Sequence, residues 1–292
     1  MLVHIKDLVK DAAKHGYAIG AFNVHNLETI LGVARAAVKA KSPAIIQVSE
    51  GAIKYMGRKP VNHLVSTVAK NLAPDVQIAL HLDHGSSFES VLACMDAGFS
   101  SVQIDASSMP IDENIELTKK IVDIAHKRGV WVQGEVGSMI GGHGKVGGRI
   151  TGVPLAVPAE VVAFVKATKV DSIAAAVGSA HGAFTNEDVH LDLVKAITEK
   201  IKTPLVLHGG SGVPDKVIAK AIKNGVRIIN IGTDIKVAFS DTLKDTCKKN
   251  KKETDPRVLL TPSIEAVEAI VLNKMKLFGS FGRSVDIKAK KL

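Results

Sequence analysis

Short apolar segments, rich in β-branched and small residues, alternate along the chain with segments whose apolar residues recur at helical spacing. The first kind of segment predicts eight strands, at 18–24, 44–50, 77–83, 101–106, 131–136, 172–177, 204–208 and 227–231. The second kind predicts helices at 27–41, 86–97, 114–128, 158–166, 191–200 and 215–224. In the second of these helices, Ser86 and Glu89 have the spacing of a capping box. Eight strands that alternate with helices predict an α/β protein with a closed (β/α)8 barrel, or TIM barrel.

The length of 292 residues is typical of one such barrel, so we expect a single domain over 1–292 with a C-terminal helical tail. An open, doubly wound sheet is the alternative. It would carry a Gly-x-Gly-x-x-Gly turn after an early strand, and the sequence has none there. No apolar run reaches the length of a membrane span, so we expect no membrane partner.

The net charge of +9 favours either a nucleic acid or an anionic metabolite as partner. Much of the excess lies in lysine runs at 244–252 and 288–291, which are typical of solvated faces, and no basic motif is interleaved with aromatic residues. We therefore expect no nucleic-acid partner. The N-terminus does not resemble a signal peptide, and the two cysteines are predicted to stay reduced, so we expect a cytoplasmic protein.

Polar residues end almost every predicted strand, and in a barrel these ends meet at one mouth. Three of them are histidines: His84 after the third strand, His181 after the sixth and His208 after the seventh. Three imidazoles with an open fourth position are a known catalytic zinc arrangement. Asp105 and Glu135, at the ends of the fourth and fifth strands, could orient these rings or hold a second metal position. A polar network without metal is the alternative.

Two glycine-rich segments follow the seventh and eighth strands, where barrels often bind phosphate through backbone N–H groups. They are 209–212 (Gly-Gly-Ser-Gly) and 230–233 (Asn-Ile-Gly-Thr), and Gly182 leaves room for a ligand beside the metal. A metal next to a phosphate site indicates a sugar-phosphate substrate, with Asp83 as the acid–base group. No strand end carries a lysine, which argues against Schiff-base chemistry.

Several longer motifs together resemble the class II, metal-dependent ketose-1,6-bisphosphate aldolases, which include the fructose- and tagatose-bisphosphate enzymes of carbohydrate metabolism. The matching stretches cover nearly the whole chain. They are AFNVHNLET (21–29), SEGAIKYMG (49–57), HLDHGSSFE (81–89), GFSSVQIDAS (98–107), GSAHG (178–182), PLVLHGGSGVPD (204–215), INIGTD (229–234) and KMKLFGSFGR (274–283).

The resemblance implies a zinc ion held by His84, His181 and His208, and proton exchange between Asp83 and the C4 hydroxyl during C3–C4 cleavage. It assigns Asp105 and Glu135 to a second metal position or to movement of the metal. The positions matching residues that bind dihydroxyacetone phosphate, often beside a Na+ or K+ ion, are Gly182, Gly209, Gly210, Ser211, Asn230 and Thr233.

Asn23, Ser49 and Gly232 complete the candidate substrate residues. Arg283 matches a C-terminal basic position that can reach the far phosphate, in some members across a subunit boundary. The resemblance also implies a homodimer or homotetramer.

Relatives carry an acidic residue on the loop after the fifth strand, whereas 141–149 has none here. His143 is a candidate for the missing base, and an exposed bystander is the alternative. The stretches 106–108 and 184–185 also depart from the family pattern. We therefore predict an aldolase that reversibly cleaves fructose 1,6-bisphosphate into dihydroxyacetone phosphate and glyceraldehyde 3-phosphate through a zinc-stabilised enediolate. Three alternatives stay open: tagatose 1,6-bisphosphate as substrate, another aldehyde partner as in inositol-catabolic aldolases, and a catalytically impaired metal- and phosphate-binding protein.

Overall fold

The computed structural model describes residues 1–137, 155–179, 189–287 and 292. Within these ranges, eight parallel strands close into a barrel in chain order, with the last strand paired to the first. They are β1 Ile19–Asn23, β2 Ala44–Ser49, β3 Ile78–Gly85, β4 Ser101–Ile104, β5 Trp131–Val136, β6 Ser172–Ala175, β7 Leu205–Leu207 and β8 Val226–Ile231. The predicted barrel is confirmed, and every predicted strand end lies within about two residues of the observed one.

Helices cover the outside of the barrel. Those in the described ranges are α1 Ile5–His15, α2 Leu27–Ala40, α3 Glu50–Met56, α4 Arg58–Asn71, α5 Phe88–Asp96, α6 Ile111–Lys127, α7 Pro158–Thr168, α8 Leu191–Thr198, α9 Asp215–Lys223, α10 Thr233–Lys249 and α11 Pro256–Phe278. After β8 the chain forms α10 and then α11, and α11 packs on both α10 and α2. None of the helices in the described ranges is long and apolar enough to cross a membrane.

The start of α5 corrects the predicted capping box. The N-cap is Ser87, whose side chain accepts a hydrogen bond from the Ser90 backbone N–H at 3.1 Å. Ser86 instead donates its backbone N–H and its hydroxyl to the Glu50 carboxylate, at 2.8 and 2.7 Å. Because Glu50 is the first residue of α3, this contact ties the end of β2 to the turn that follows β3.

The barrel interior is apolar at one end and polar at the other. The apolar end joins α1 side chains to strand residues in one buried cluster, which includes Ile19, Ala21, Ile45, Ala79, Trp131, Ala174, Val206 and Ile228. Alternate residues of a strand face the same side. Along β1 the next residue of this series is Asn23, which hydrogen-bonds to Asp83 on β3. The polar groups therefore gather at the carboxyl ends of the strands, and α1 closes the opposite end.

Candidate active site

Two histidine rings meet at the carboxyl end of the barrel. Nε2 of His84, in β3, lies 3.1 Å from Nδ1 of His208, which directly follows β7. The ring planes are nearly perpendicular, at 87°, and their centroids are 4.7 Å apart. Zinc bonds to histidine nitrogen are about 2.0–2.1 Å, which places two ligands of a tetrahedral site about 3.4 Å apart. The spacing of these two nitrogens therefore fits a pair of zinc ligands.

An irregularity in β3 sets the position of His84. The pairing of β3 with β4 shifts register between Leu82 and Gly85, and His84 has a φ of 52°. This left-handed conformation costs a residue other than glycine about 1–2 kcal/mol. The side chain of Gln103 on β4 accepts a hydrogen bond from the His84 backbone N–H at 3.0 Å, which supports the turn.

Two carboxylates lie against these histidines, as the sequence predicted. Asp105 Oδ2 is 2.7 Å from His84 Nδ1, and its other oxygen accepts hydrogen bonds from the backbone and hydroxyl of Ser107. Glu135 Oε2 lies 3.7 Å from His84 Nδ1 and 3.8 Å from His208 Nδ1. Burial raises the pKa of Glu135 to about 8. Asp105 therefore orients the His84 ring, and Glu135 stands beside both imidazoles.

Asp83 is almost completely buried next to His84. Its Oδ2 accepts a hydrogen bond from the Asn23 amide at 2.7 Å, and its Oδ1 accepts one from Asn230 at 3.4 Å. Burial raises the pKa of this carboxyl. The positive charges of His84 and His208 and the hydrogen bond from Asn23 lower it by more, so the resulting pKa is about 2. Asp83 is therefore anionic at neutral pH and able to accept a proton.

The pKa of His84 moves in the opposite direction. Burial lowers the pKa of His84. The neighbouring carboxylates Asp83, Asp105 and Glu135 raise it by more, so the resulting pKa is about 10. The same negative surroundings that hold a proton on His84 would hold a metal cation. Donor atoms of Asp83, His84 and His208 all lie within 4.8 Å of one another, and so do those of His84, Asp105 and Glu135. The residues present therefore fit a divalent metal.

The two glycine-rich segments lie side by side. The backbone N–H of Gly210 donates to the Asn230 carbonyl at 3.0 Å, and that of Asp234 donates to the Ser211 hydroxyl at 3.2 Å. Gly209 has a φ of 64°, which favours glycine, and a Cβ at Gly210 would lie 2.6 Å from Ile229. Thr233 is the first residue of α10, so the amino end of a long helix faces the same place. Glycine-rich backbone beside the amino end of a helix suits an anion such as phosphate.

Gly232 leaves space for Asn23. A Cβ at position 232 would lie 2.9 Å from Asn23 Oδ1, closer than real side chains approach. Since Asn23 donates to Asp83, the absence of a side chain at 232 helps to maintain the position of the candidate acid–base group.

A cavity of about 510 Å³ opens beside this site. Its walls include Ser49, His25, Tyr55, Phe239 and Lys236. Lys236 lies on the first turn of α10. Burial lowers its pKa by more than the charge of Asp83 raises it, so the net pKa is lowered. Ser49, a predicted substrate residue, therefore shares this cavity with Lys236, a cation that the sequence analysis did not single out.

The profile of the family described as class II fructose-bisphosphate aldolase matches residues 3–283. The chain belongs to this family. The fructose-bisphosphate aldolase of Geobacillus stearothermophilus is 42% identical over 290 residues, which cover 98% of this chain and 99% of that relative. The 6-phospho-5-dehydro-2-deoxy-D-gluconate aldolase of Bacillus subtilis is also 42% identical, over 284 residues and 97% of both chains.

Solved structures of class II aldolases share the fold. The YdjI aldolase from Escherichia coli K12 superposes with a TM-score of 0.83 at 32% identity, covering 97% of this chain and all of that one. The family therefore accounts for the barrel, and it agrees with a cluster of side chains that could hold a metal. The two curated relatives carry different substrate names at the same identity, so the family leaves the substrate open.

One candidate residue, Arg283, does not lie at the mouth of the barrel. The Arg283 guanidinium lies 5.5 Å from the Tyr17 ring, and its neighbours Gly282 and Ser284 donate backbone hydrogen bonds to Ala40 and Lys41. These contacts are at the amino ends of the strands, because Tyr17 precedes β1 and Lys41 precedes β2. Arg283 therefore does not reach the site of its own chain.

Other predicted residues lie outside the described ranges: the third histidine His181, Gly182, the candidate loop base His143, the loop 141–149 and the pair 184–185. Their roles stay predictions.

Three buried glutamines around the site were also missed. Gln47 donates to Asn23 at 2.8 Å, Gln103 donates to Glu135 at 2.7 Å, and the amide of Gln133 lies 2.9 Å from His208 Nε2. Each of them interrupts an otherwise apolar strand two residues before its polar end, and that was the signal available in the sequence. The lysine at 236 gave no such signal, since charged residues are ordinary on a helix surface.

Proposed function

We propose that the protein is a zinc-dependent aldolase that reversibly cleaves fructose 1,6-bisphosphate into dihydroxyacetone phosphate and glyceraldehyde 3-phosphate. The observation that carries this proposal is the contact between His84 and His208, beside the anionic Asp83 and next to the paired glycine-rich segments. A metal site and a phosphate site side by side are what this cleavage needs, since one half of the substrate is a phosphorylated ketone.

In the cleavage direction Asp83 accepts the proton of the C4 hydroxyl. The C4–O bond becomes the aldehyde carbonyl, the C3–C4 bond breaks, and its electron pair stays on the ketone half as an enediolate. A proton added at C3 then completes dihydroxyacetone phosphate. Zinc held by His84 and His208, with His181 as the predicted third ligand, would supply the Lewis acidity that stabilises the enediolate.

The protein's own residues bind and orient the substrate. Backbone N–H groups of Gly209, Ser211 and Gly212, together with the amino end of α10, bind the phosphate of the ketone half, since the Gly210 N–H donates to Asn230. A monovalent cation is the predicted neighbour. Asn23 and Asn230 hold both oxygens of Asp83, so the carboxylate has a fixed direction. His143 stays the candidate donor at C3.

A second substrate is supported by a specific finding. A relative named as a 6-phospho-5-dehydro-2-deoxy-D-gluconate aldolase is as similar as one named as a fructose-bisphosphate aldolase. A gluconate ends in a carboxylate where fructose 1,6-bisphosphate ends in a second phosphate, and both groups are anions. Lys236 in the neighbouring cavity suits either one.

We further propose that the protein is a homo-oligomer. Its support is the family resemblance, together with apolar side chains such as Val258 of α11, which is 49% exposed. Arg283 could contact a substrate phosphate only in a neighbouring subunit.

The test of this function is an assay of aldehyde and triose phosphate release from fructose 1,6-bisphosphate, tagatose 1,6-bisphosphate and 6-phospho-5-dehydro-2-deoxy-D-gluconate. We expect one of them to be cleaved with a clear preference, loss of cleavage after chelation, and recovery on adding zinc. Absence of cleavage of all three by zinc-loaded protein would instead support the catalytically impaired alternative.

Lys236→Met should lower kcat/KM for the preferred substrate by about 10–100-fold, mainly through KM. The lost contact is a charge-assisted hydrogen bond to the anionic end that is remote from the bond broken, worth about 1.5–3 kcal/mol. Steady-state kinetics would measure it. Lys244→Met is the matched control, because Lys244 lies on the same helix with its side chain 74% exposed. Equal kcat/KM for both variants and the wild type would remove Lys236 from the substrate site.

A further inference from the structure

The two nitrogens of the His208 ring face different groups. Nδ1 faces His84 Nε2 at 3.1 Å, and Nε2 faces the side-chain amide nitrogen of Gln133 at 2.9 Å. A neutral imidazole carries its proton on one nitrogen only, and the hydrogen bond made by the other nitrogen decides which one binds a metal. The group that faces Nε2 therefore helps to decide whether Nδ1 carries the proton or is available to a metal.

Metal binding through Nδ1 places the N–H of His208 on Nε2. His208 and Gln133 are each only 2% exposed, so solvent does not reach this N–H easily. A buried N–H without an acceptor is destabilising. The amide nitrogen of Gln133 lies at this position, and a rotation of 180° about the last side-chain bond would place its oxygen there instead. The acceptor is needed in the metal-bound state of His208.

Gln133 lies beside another glutamine that contacts the site. Gln133 on β5 is the register partner of Gln103 on β4, and Gln103 contacts both the His84 backbone and Glu135. The two metal-facing histidines thus have partners of different charge. His84 has the Asp105 carboxylate and His208 has a neutral amide.

We propose that Gln133 is a positioning residue for the metal site, and that its amide oxygen accepts the Nε2–H of His208 and keeps Nδ1 free for zinc. This inference rests on the metal site of the proposed function. Gln133 touches neither substrate nor metal. It acts through the tautomer and the orientation of one ligand, as partners of metal-binding histidines do elsewhere.

The experiment is a measurement of the zinc dissociation constant by competition with a chromophoric chelator. Gln133→Met fills a similar volume without an acceptor and should weaken zinc binding about 10–100-fold. Gln133→Glu keeps an acceptor at the same place and should bind zinc within a few-fold of the wild type. Gln47→Met is the matched control, since Gln47 is a fully buried glutamine whose amide donates to Asn23. It should leave zinc affinity nearly unchanged.

A second measurement needs no variant. Nitrogen-15 NMR of the zinc-loaded wild type should place the His208 proton on Nε2. A proton on Nδ1, or zinc affinity in Gln133→Met equal to that of the wild type, would overturn the role of Gln133. Equal weakening in Gln133→Met and Gln47→Met would also overturn it, because any buried amide would then have the same effect. Failure of the wild type to bind zinc would contradict the proposed metal site itself.

Discussion

His208→Ala is expected to abolish both zinc binding and aldol cleavage. The substitution removes Nδ1, one of the two nitrogens that lie 3.1 Å apart at the mouth of the barrel. Even partners that only support a metal ligand are worth about 10–100-fold in affinity, so loss of a ligand should exceed about 100-fold. Without the metal the enediolate loses the cation that stabilises it, and turnover should fall to background. Metal content after dialysis and the rate of triose phosphate release would both be measured.

His63→Ala is the control for this experiment. His63 is exposed on α4, so its removal should change neither zinc content nor rate. Full zinc content in His208→Ala would show that His208 does not hold the metal. Retained turnover without zinc would contradict the metal-dependent mechanism.

Asp83→Ala should separate the acid–base step from the metal. The variant keeps both histidine rings and should keep zinc, but it should lose about 10²–10⁴-fold in kcat because no group accepts the C4 proton. Asn23 and Asn230 cannot take over, since their amides only donate to Asp83. Zinc content and kcat should be determined on the same preparation.

Two outcomes of the Asp83 experiment carry different information. A variant that retains zinc and full turnover would remove Asp83 from the proton transfer. A variant that loses zinc would make Asp83 a part of the metal site, as its distance to the donor atoms of His84 and His208 allows.

The alternation of strands and helices was enough to predict the barrel, and strand ends were enough to predict its mouth. This works because parallel strands of a barrel all end on one side, so residues distant in sequence converge without any knowledge of loops. Asp83, His84, Asp105, Glu135 and His208 were found by this rule, and their contacts agree with it.

The rule gives no position for residues that lie away from the strand ends. Arg283 follows the last helix, and nothing in its motif says at which end of the barrel the chain then lies. The Ser86 and Glu89 spacing matches a capping box, but the Glu50 carboxylate from another element binds Ser86 instead. Lys236 becomes part of the site only because α10 starts at the mouth. In each case a tertiary contact decides a question that local sequence leaves open.

The tight space between Gly232 and Asn23 limits the order in which substitutions at these two positions can be made. Gly232 has a φ of −124°, which is outside the left-handed region, and the nearest atoms to a Cβ there belong to the Asn23 side chain. A change at 232 therefore requires Asn23 to move first, and moving Asn23 removes a hydrogen bond from Asp83. A substitution at 232 alone should therefore weaken catalysis, and the two positions should be varied together.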